Sequence, residues 1–213
     1  MHEQKQTTLK WLRILLIIQL AVLILTLLNR IPLVFPISLG GNWIPWAIRG
    51  LHLVTVVCLF LLPTLYRKAA VLKAIWLAGS LLNTLVFSPV LTHSPVYSAL
   101  DMERFQLISN VASVLISILY WIALFLEYRA HGTLGGNKNT KHWYILYICS
   151  VALTLILNIG VISLQILFET MVQNGMIWGI TLYNAVSYLP SLAIQIVYLV
   201  LLRRTIQIAE KEE

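Results

Sequence analysis

Charge is what this sequence has least of. Lys, Arg, Asp and Glu together make up 11% of its 213 residues, while 59% are hydrophobic. Soluble domains carry about 25% charged residues, so this chain lacks the polar groups to cover its own surface in water. Cysteine is scarce too. Cys58 and Cys149 are the only two, and each falls inside an apolar run. That excludes a framework of extracellular disulfides, and both are expected to be small buried apolar residues. There is no His-x-x-His, Glu-x-x-His or Cys-x-x-Cys, no Gly-x-x-x-x-Gly-Lys phosphate loop and no nucleophile elbow. No metal site and no cofactor are therefore expected. No Asp or Glu lies in the core of an apolar run, which argues against a proton-coupled pump, since such carriers use intramembrane carboxylates as relays.

What is present is apolar length. Charges divide the chain into runs at residues 9–28, 48–66, 71–91, 105–126, 143–168 and 176–202. Each is close to the ~17–25 residues that a helix needs to cross about 30 Å of hydrocarbon, and the last two are long enough to tilt. The runs are continuously apolar and do not alternate, so barrel strands are excluded. The expected fold is all-α, a single membrane domain over residues 1–213 built as a bundle of six transmembrane helices. The first run follows a basic start, as in a signal peptide. Its length, and the Asn29-Arg30-Ile31-Pro32 that follows in place of a small-x-small site, predict an uncleaved span.

The net charge of +7 has a side as well as a sign. Six spans place Lys5, Lys10, Arg13, Arg67, Lys68, Lys73, Arg129, Lys138, Lys141, Arg203, Arg204 and Lys211 on one side. Only Arg30, Arg49 and Arg104 fall on the other. This bias predicts that both termini are cytoplasmic, in a cell membrane, with a bacterial cytoplasmic membrane suggested by the short length and minimal loops. Trp11, Trp43, Trp46, Trp143 and Trp178 lie near span ends, where an aromatic belt would sit. The inner segment from Gly132 to Lys141, rich in Gly and Asn, is expected to be a flexible loop. Glu127 and Arg129 are expected to pair at the inner boundary. The outer segment from Asn29 to Pro45, with three prolines, is expected to be too broken to span.

Polar residues inside the runs recur at helical spacing. They include Gln19 and Thr26; Arg49, His52 and Thr55; Ser80, Asn83 and Thr84; Asn110, Ser113 and Ser117; Ser150, Thr154, Asn158 and Gln165; and Asn184, Ser187, Ser191 and Gln195. Steps of three, four and seven gather each set on one face. Facing lipid, unpaired polar groups would cost several kcal/mol, so these faces should turn inward. They would then either join helices by hydrogen bonds or line a cavity. The candidate ligand-binding residues are Asn83, Asn158, Asn184, Ser187, Gln19 and Asn110, with Arg49 and His52 as a possible anion or headgroup site near the outer edge. Asn83-x-x-x-Phe87-x-Pro89-x-Leu91 parallels Asn184-x-x-x-Tyr188-x-Pro190-x-Leu192, the kind of match that inverted repeats of transporters leave. Pro190 is expected to kink its helix.

His142 and Cys149, seven apart and following Gly135-Gly136, resemble the His and Cys of quorum-peptide-processing membrane proteases over about fifteen positions. The segment lies late in the chain and the glycine pair stands six residues from His142, two departures from that pattern. Seven helical residues span about 10 Å, which would put Cys149 below the interface.

Three functions follow as expectations. The first is a carrier or substrate-binding membrane subunit for an uncharged or amphipathic small molecule. The second is a non-catalytic interaction or regulatory protein whose polar faces pack its own helices or those of another membrane subunit. The third is a cysteine-protease-like enzyme using His142 and Cys149. A lipid bilayer is the partner common to all three, and nucleic acid is not expected, since no segment is long enough for a soluble domain.

Overall fold

The computed structural model describes residues 2–34, 43–86, 102–134, 136–173 and 177–211. Among these, six helices follow one another: α1 (His2–Val34), α2 (Trp43–Leu61), α3 (Thr64–Val86), α4 (Met102–Thr133), α5 (Gly136–Gln173) and α6 (Ile177–Lys211). The helical class read from the apolar runs is therefore observed. A backbone away from water must satisfy its own hydrogen bonds, and a helix does so within a single segment. Among the described residues, four stretches are long and apolar enough to cross a membrane: Gln6–Asn29, Trp43–Leu61, Val114–Thr133 and Leu189–Lys211.

Several helix limits differ from the expected spans. α1 continues to Val34 through Pro32, and α2 begins at Trp43 with Pro45 in its first turn, where a missing N–H costs nothing. Residues 29–34 and 43–45 of the expected outer loop are thus helical. The break between α2 and α3 falls at Leu62 and Pro63, ahead of the cations. Pro63 cannot continue the α2 ladder, and its carbonyl instead accepts from the Tyr66 N–H at 2.9 Å. Arg67 Nε donates to the Phe60 carbonyl at 3.2 Å, taking up one of the acceptors that α2 leaves at its end. Arg67 and Lys68 consequently ride on α3 and do not lie in a loop.

The chain divides into two compact units, residues 1–55 with 128–213, and residues 56–127. In the first unit, α6 packs against both α1 and α5. Arg13 near the start of α1 meets Glu210 near the end of α6, with Nη2 to Oε1 at 2.7 Å and Nε to the same oxygen at 3.2 Å. The two helices therefore run antiparallel. Asn139 and Trp143 near the start of α5 meet Thr205 near the end of α6, so that pair is antiparallel too. Leu12, Leu15, Trp143 and Leu202 are fully buried in this unit. In the second unit, Leu59, Leu62, Ala69, Ala70 and Ala123 are buried.

The segment expected to be a flexible loop is a tight helix hairpin. Only Leu134 and Gly135 separate α4 from α5. The Leu134 N–H donates to the His131 carbonyl at 3.3 Å, and Thr140 Oγ1 donates to the Gly132 carbonyl at 3.0 Å. Gly132 is needed because a Cβ there would lie 3.0 Å from the Thr140 Cα. Gly136 is needed because its φ is +74°, in the left-handed region that other L-residues avoid. The glycines that suggested looseness serve close approach.

Candidate functional site

The first unit holds a buried polar cluster at the α4–α5 hairpin. Asn139 Nδ2 donates to the His131 carbonyl at 3.0 Å and to Thr205 Oγ1 at 3.2 Å. Trp143 Nε1 donates to the same Thr205 hydroxyl at 3.1 Å, and that hydroxyl donates to the Leu201 carbonyl at 2.9 Å. The Tyr198 hydroxyl lies 3.4 Å from His131 Nε2. Aromatic rings close around these bonds: His131 and Trp143 have centroids 4.7 Å apart, Tyr128 and Trp143 5.0 Å, and Tyr128 and Tyr198 5.6 Å. His131, Asn139 and Thr205 are each at most 1% exposed. Buried polar groups this well partnered fix one arrangement of three helix ends. Trp143, assigned by sequence to an aromatic belt, belongs here and is buried, because its indole N–H has a protein acceptor. Trp43 and Trp46 are exposed.

Around this cluster the helix ends carry cations on their outer faces. Lys10 and Arg13 on α1, Arg129 on α4, Lys138 and Lys141 on α5, and Arg203, Arg204 and Lys211 on α6 are all exposed.

The second unit holds an ion pair between Lys73 Nζ on α3 and Glu127 Oε2 on α4, with the Glu127 side chain 1% exposed. Trp76 and Tyr120 pack beside it, centroids 4.8 Å apart. The expected partner of Glu127 was Arg129, but two residues along a helix point about 200° apart, and Arg129 turns to the surface. Lys73, inside the expected third span, is mostly buried at this pair.

Of the expected ligand-binding residues, Gln19 has a defined setting. Its Nε2 donates to Thr55 Oγ1 at 3.2 Å, and that hydroxyl donates on to the Leu51 carbonyl at 3.0 Å. Arg49 places its guanidinium 4.9 Å from the Trp46 ring centroid, a cation–π contact one turn away, and His52 is half-buried on the same helix. The side chains of Asn83, Asn110, Asn158, Asn184 and Ser187 lie outside the described residues, as does most of the parallel between the segments around Asn83 and Asn184. α6 runs unbroken through Pro190. Ser150 and Thr154 bond back to the carbonyls of Leu146 and Ser150 at 2.7 and 2.9 Å, using their hydroxyls within α5. Gln195 differs. Its Oε1 is buried and accepts no hydrogen bond from any described residue.

His142 and Cys149 do not form a pair. His142 Nδ1 is buried without a partner among the described residues. Cys149 is exposed, and only Cys58 is the buried apolar thiol expected of both.

Sequence reasoning did not single out His131, Asn139, Thr205 or the Lys73–Glu127 pair. Thr205 follows Arg203-Arg204 and reads as surface, and Asn139 sits among Gly, Asn and Lys. The available signal was Thr205 within Leu201, Leu202, Ile206 and Ala209, all buried, which marks an inward stripe at helical spacing.

Among the described residues, the arrangement defines an all-helical protein with four helices of membrane-crossing length and composition. No family model, curated protein or solved structure matches the chain.

Proposed function

We propose that the chain is a multi-pass membrane protein of six spans forming one membrane domain, with both ends cytoplasmic, in a cell membrane of bacterial type, and that it carries or presents an uncharged or amphipathic small molecule. The observation that carries this reading is Gln195 Oε1. A buried acceptor left open costs about 1–3 kcal/mol unless something donates to it, and Gln195 belongs to the stripe that also holds Asn184, Ser187 and Ser191. A bound polar ligand, or water in a path for one, meets that need. Orientation is supported by the exposed cations gathered with the start of α1, the end of α4, the start of α5 and the end of α6. Gln19, Asn83, Asn110, Asn158, Asn184 and Ser187 are the other polar groups proposed to face the ligand, with Arg49 and His52 nearer one membrane surface.

The test is uptake by proteoliposomes of uncharged probes: a hexose, a nucleoside and a neutral amphiphile. The wild-type chain should take up at least one of them. Gln195→Leu and Asn158→Leu, if folded, should lose that uptake. Uptake that survives in every folded variant removes the carrier reading.

A second reading, a non-catalytic interaction protein, is favoured by the Gln19–Thr55 bond, in which the polar groups of two helices satisfy each other. Such bonds average about 0.6 kcal/mol and serve as glue. This reading predicts a second membrane subunit that co-purifies in mild detergent, and persistent isolation as a lone chain counts against it.

A further inference from the structure

We infer that the cationic end of the first unit is a binding surface for anionic phospholipid headgroups. The cations lie on helix turns held by buried partners. Asn139, between Lys138 and Lys141, bonds to His131 and Thr205, and Thr205 directly follows Arg203-Arg204. The backbone carrying these four cations is therefore fixed while their side chains point outward. Glu210, the acid near the end of α6, is already occupied by Arg13.

The neighbouring apolar residues identify the partner. On α6, Val200 is 60% exposed, and Arg203 and Arg204 follow it at three and four residues, on the same face. On α5, Lys141 precedes Ile145 and Ile148, 58% and 64% exposed, at four and seven residues. On both helices an apolar face open to lipid tails ends in cations within about 6 Å of helix rise. A nucleic acid or an acidic peptide has no use for the apolar part of that face. A phospholipid places its acyl chains along the apolar part and its phosphate at the cations. Basic residues at this depth attract anionic lipid strongly, and salt weakens the attraction.

The experiment uses the full chain in phosphatidylcholine vesicles doped with spin-labelled phosphatidylglycerol or spin-labelled phosphatidylcholine, and reads the motionally restricted fraction of each label. At low salt the wild-type chain should prefer phosphatidylglycerol by about fivefold, and molar NaCl should abolish most of the preference. The variant Lys138→Gln/Lys141→Gln/Arg203→Gln/Arg204→Gln should show nearly equal fractions, while Arg203→Lys/Arg204→Lys keeps the preference. Equal fractions for the two labels in the wild-type chain overturn the inference, as does a preference that persists in the glutamine variant. Inorganic phosphate at the same ionic strength as a chloride control separates the two sources of phosphate. Displacement beyond the chloride control means the surface binds free phosphate, against the inference; equal displacement supports a lipid.

Discussion

Asn139 donates its side-chain amide to the main-chain carbonyl of His131 at 3.0 Å, so the first turn of α5 closes on the last turn of α4. The same amide nitrogen reaches Thr205 on α6. One short side chain thus joins three helices where the sequence reads as a polar linker.

Thr205 is the shared acceptor of that junction. Thr205→Ala strands one N–H of the Asn139 amide and the Trp143 indole N–H in a buried site, and each unmet donor costs about 1–3 kcal/mol. Thermal unfolding in detergent should show a fall of several degrees for Thr205→Ala. Thr205→Ser keeps the hydroxyl and should stay close to wild type.

Gly132 sets how near α4 and α5 come. Gly132→Ala brings a Cβ to 3.0 Å from the Thr140 Cα, and backbone has to move. Overpacking of this kind costs about 1–3 kcal/mol. Gly136→Ala meets open space but keeps a φ of +74°, and should cost about 1–2 kcal/mol from backbone strain alone. Both show as lower melting temperatures, and Gly132→Ala alone should also perturb the fluorescence of nearby Trp143.

The Lys73–Glu127 pair predicts a non-additive response. Lys73→Met leaves a buried carboxylate uncompensated, a loss of about 3–5 kcal/mol, and Glu127→Leu strands the ammonium likewise. The double variant should recover most of that loss. A double-mutant cycle by chemical denaturation in detergent checks it; two single losses that simply add would mean the pair is not coupled.

The two thiols should react differently. Cys149 is exposed on α5 and Cys58 is buried on α2. A membrane-soluble maleimide should label Cys149 in the folded chain and reach Cys58 only after denaturation. Replacing Cys149 by Ala should leave fold and any transport unchanged, as expected of a thiol that His142 does not engage.

Hydrophobic length made the helical class and four of the long apolar helices legible, because period and composition are local properties. The limits of the elements were less so. Charges at Arg67 and Arg129 look like loop markers, yet both ride on helices: Pro63 moves the first break ahead of Arg67, and Gly132 with Gly136 compresses the second. The inward stripes were readable in outline, and Gln19 does meet Thr55. The junction at Thr205 was not readable, since a polar residue beside two arginines shows its burial only when α5 is laid against α6. Glu127 was misassigned for the same reason. Its partner is 54 residues away in sequence, beyond any helical spacing.

The orientation of the cationic end is the claim on which transport, lipid binding and topology all depend. With Cys58 and Cys149 replaced by Ala, single cysteines at Lys10, Lys138, Lys211 and Trp43 are exposed in turn to a membrane-impermeant maleimide on sealed cells. The account predicts that Trp43→Cys is labelled from outside, and that the other three react only after the membrane is opened. Labelling of Lys10→Cys, Lys138→Cys or Lys211→Cys in sealed cells would contradict it.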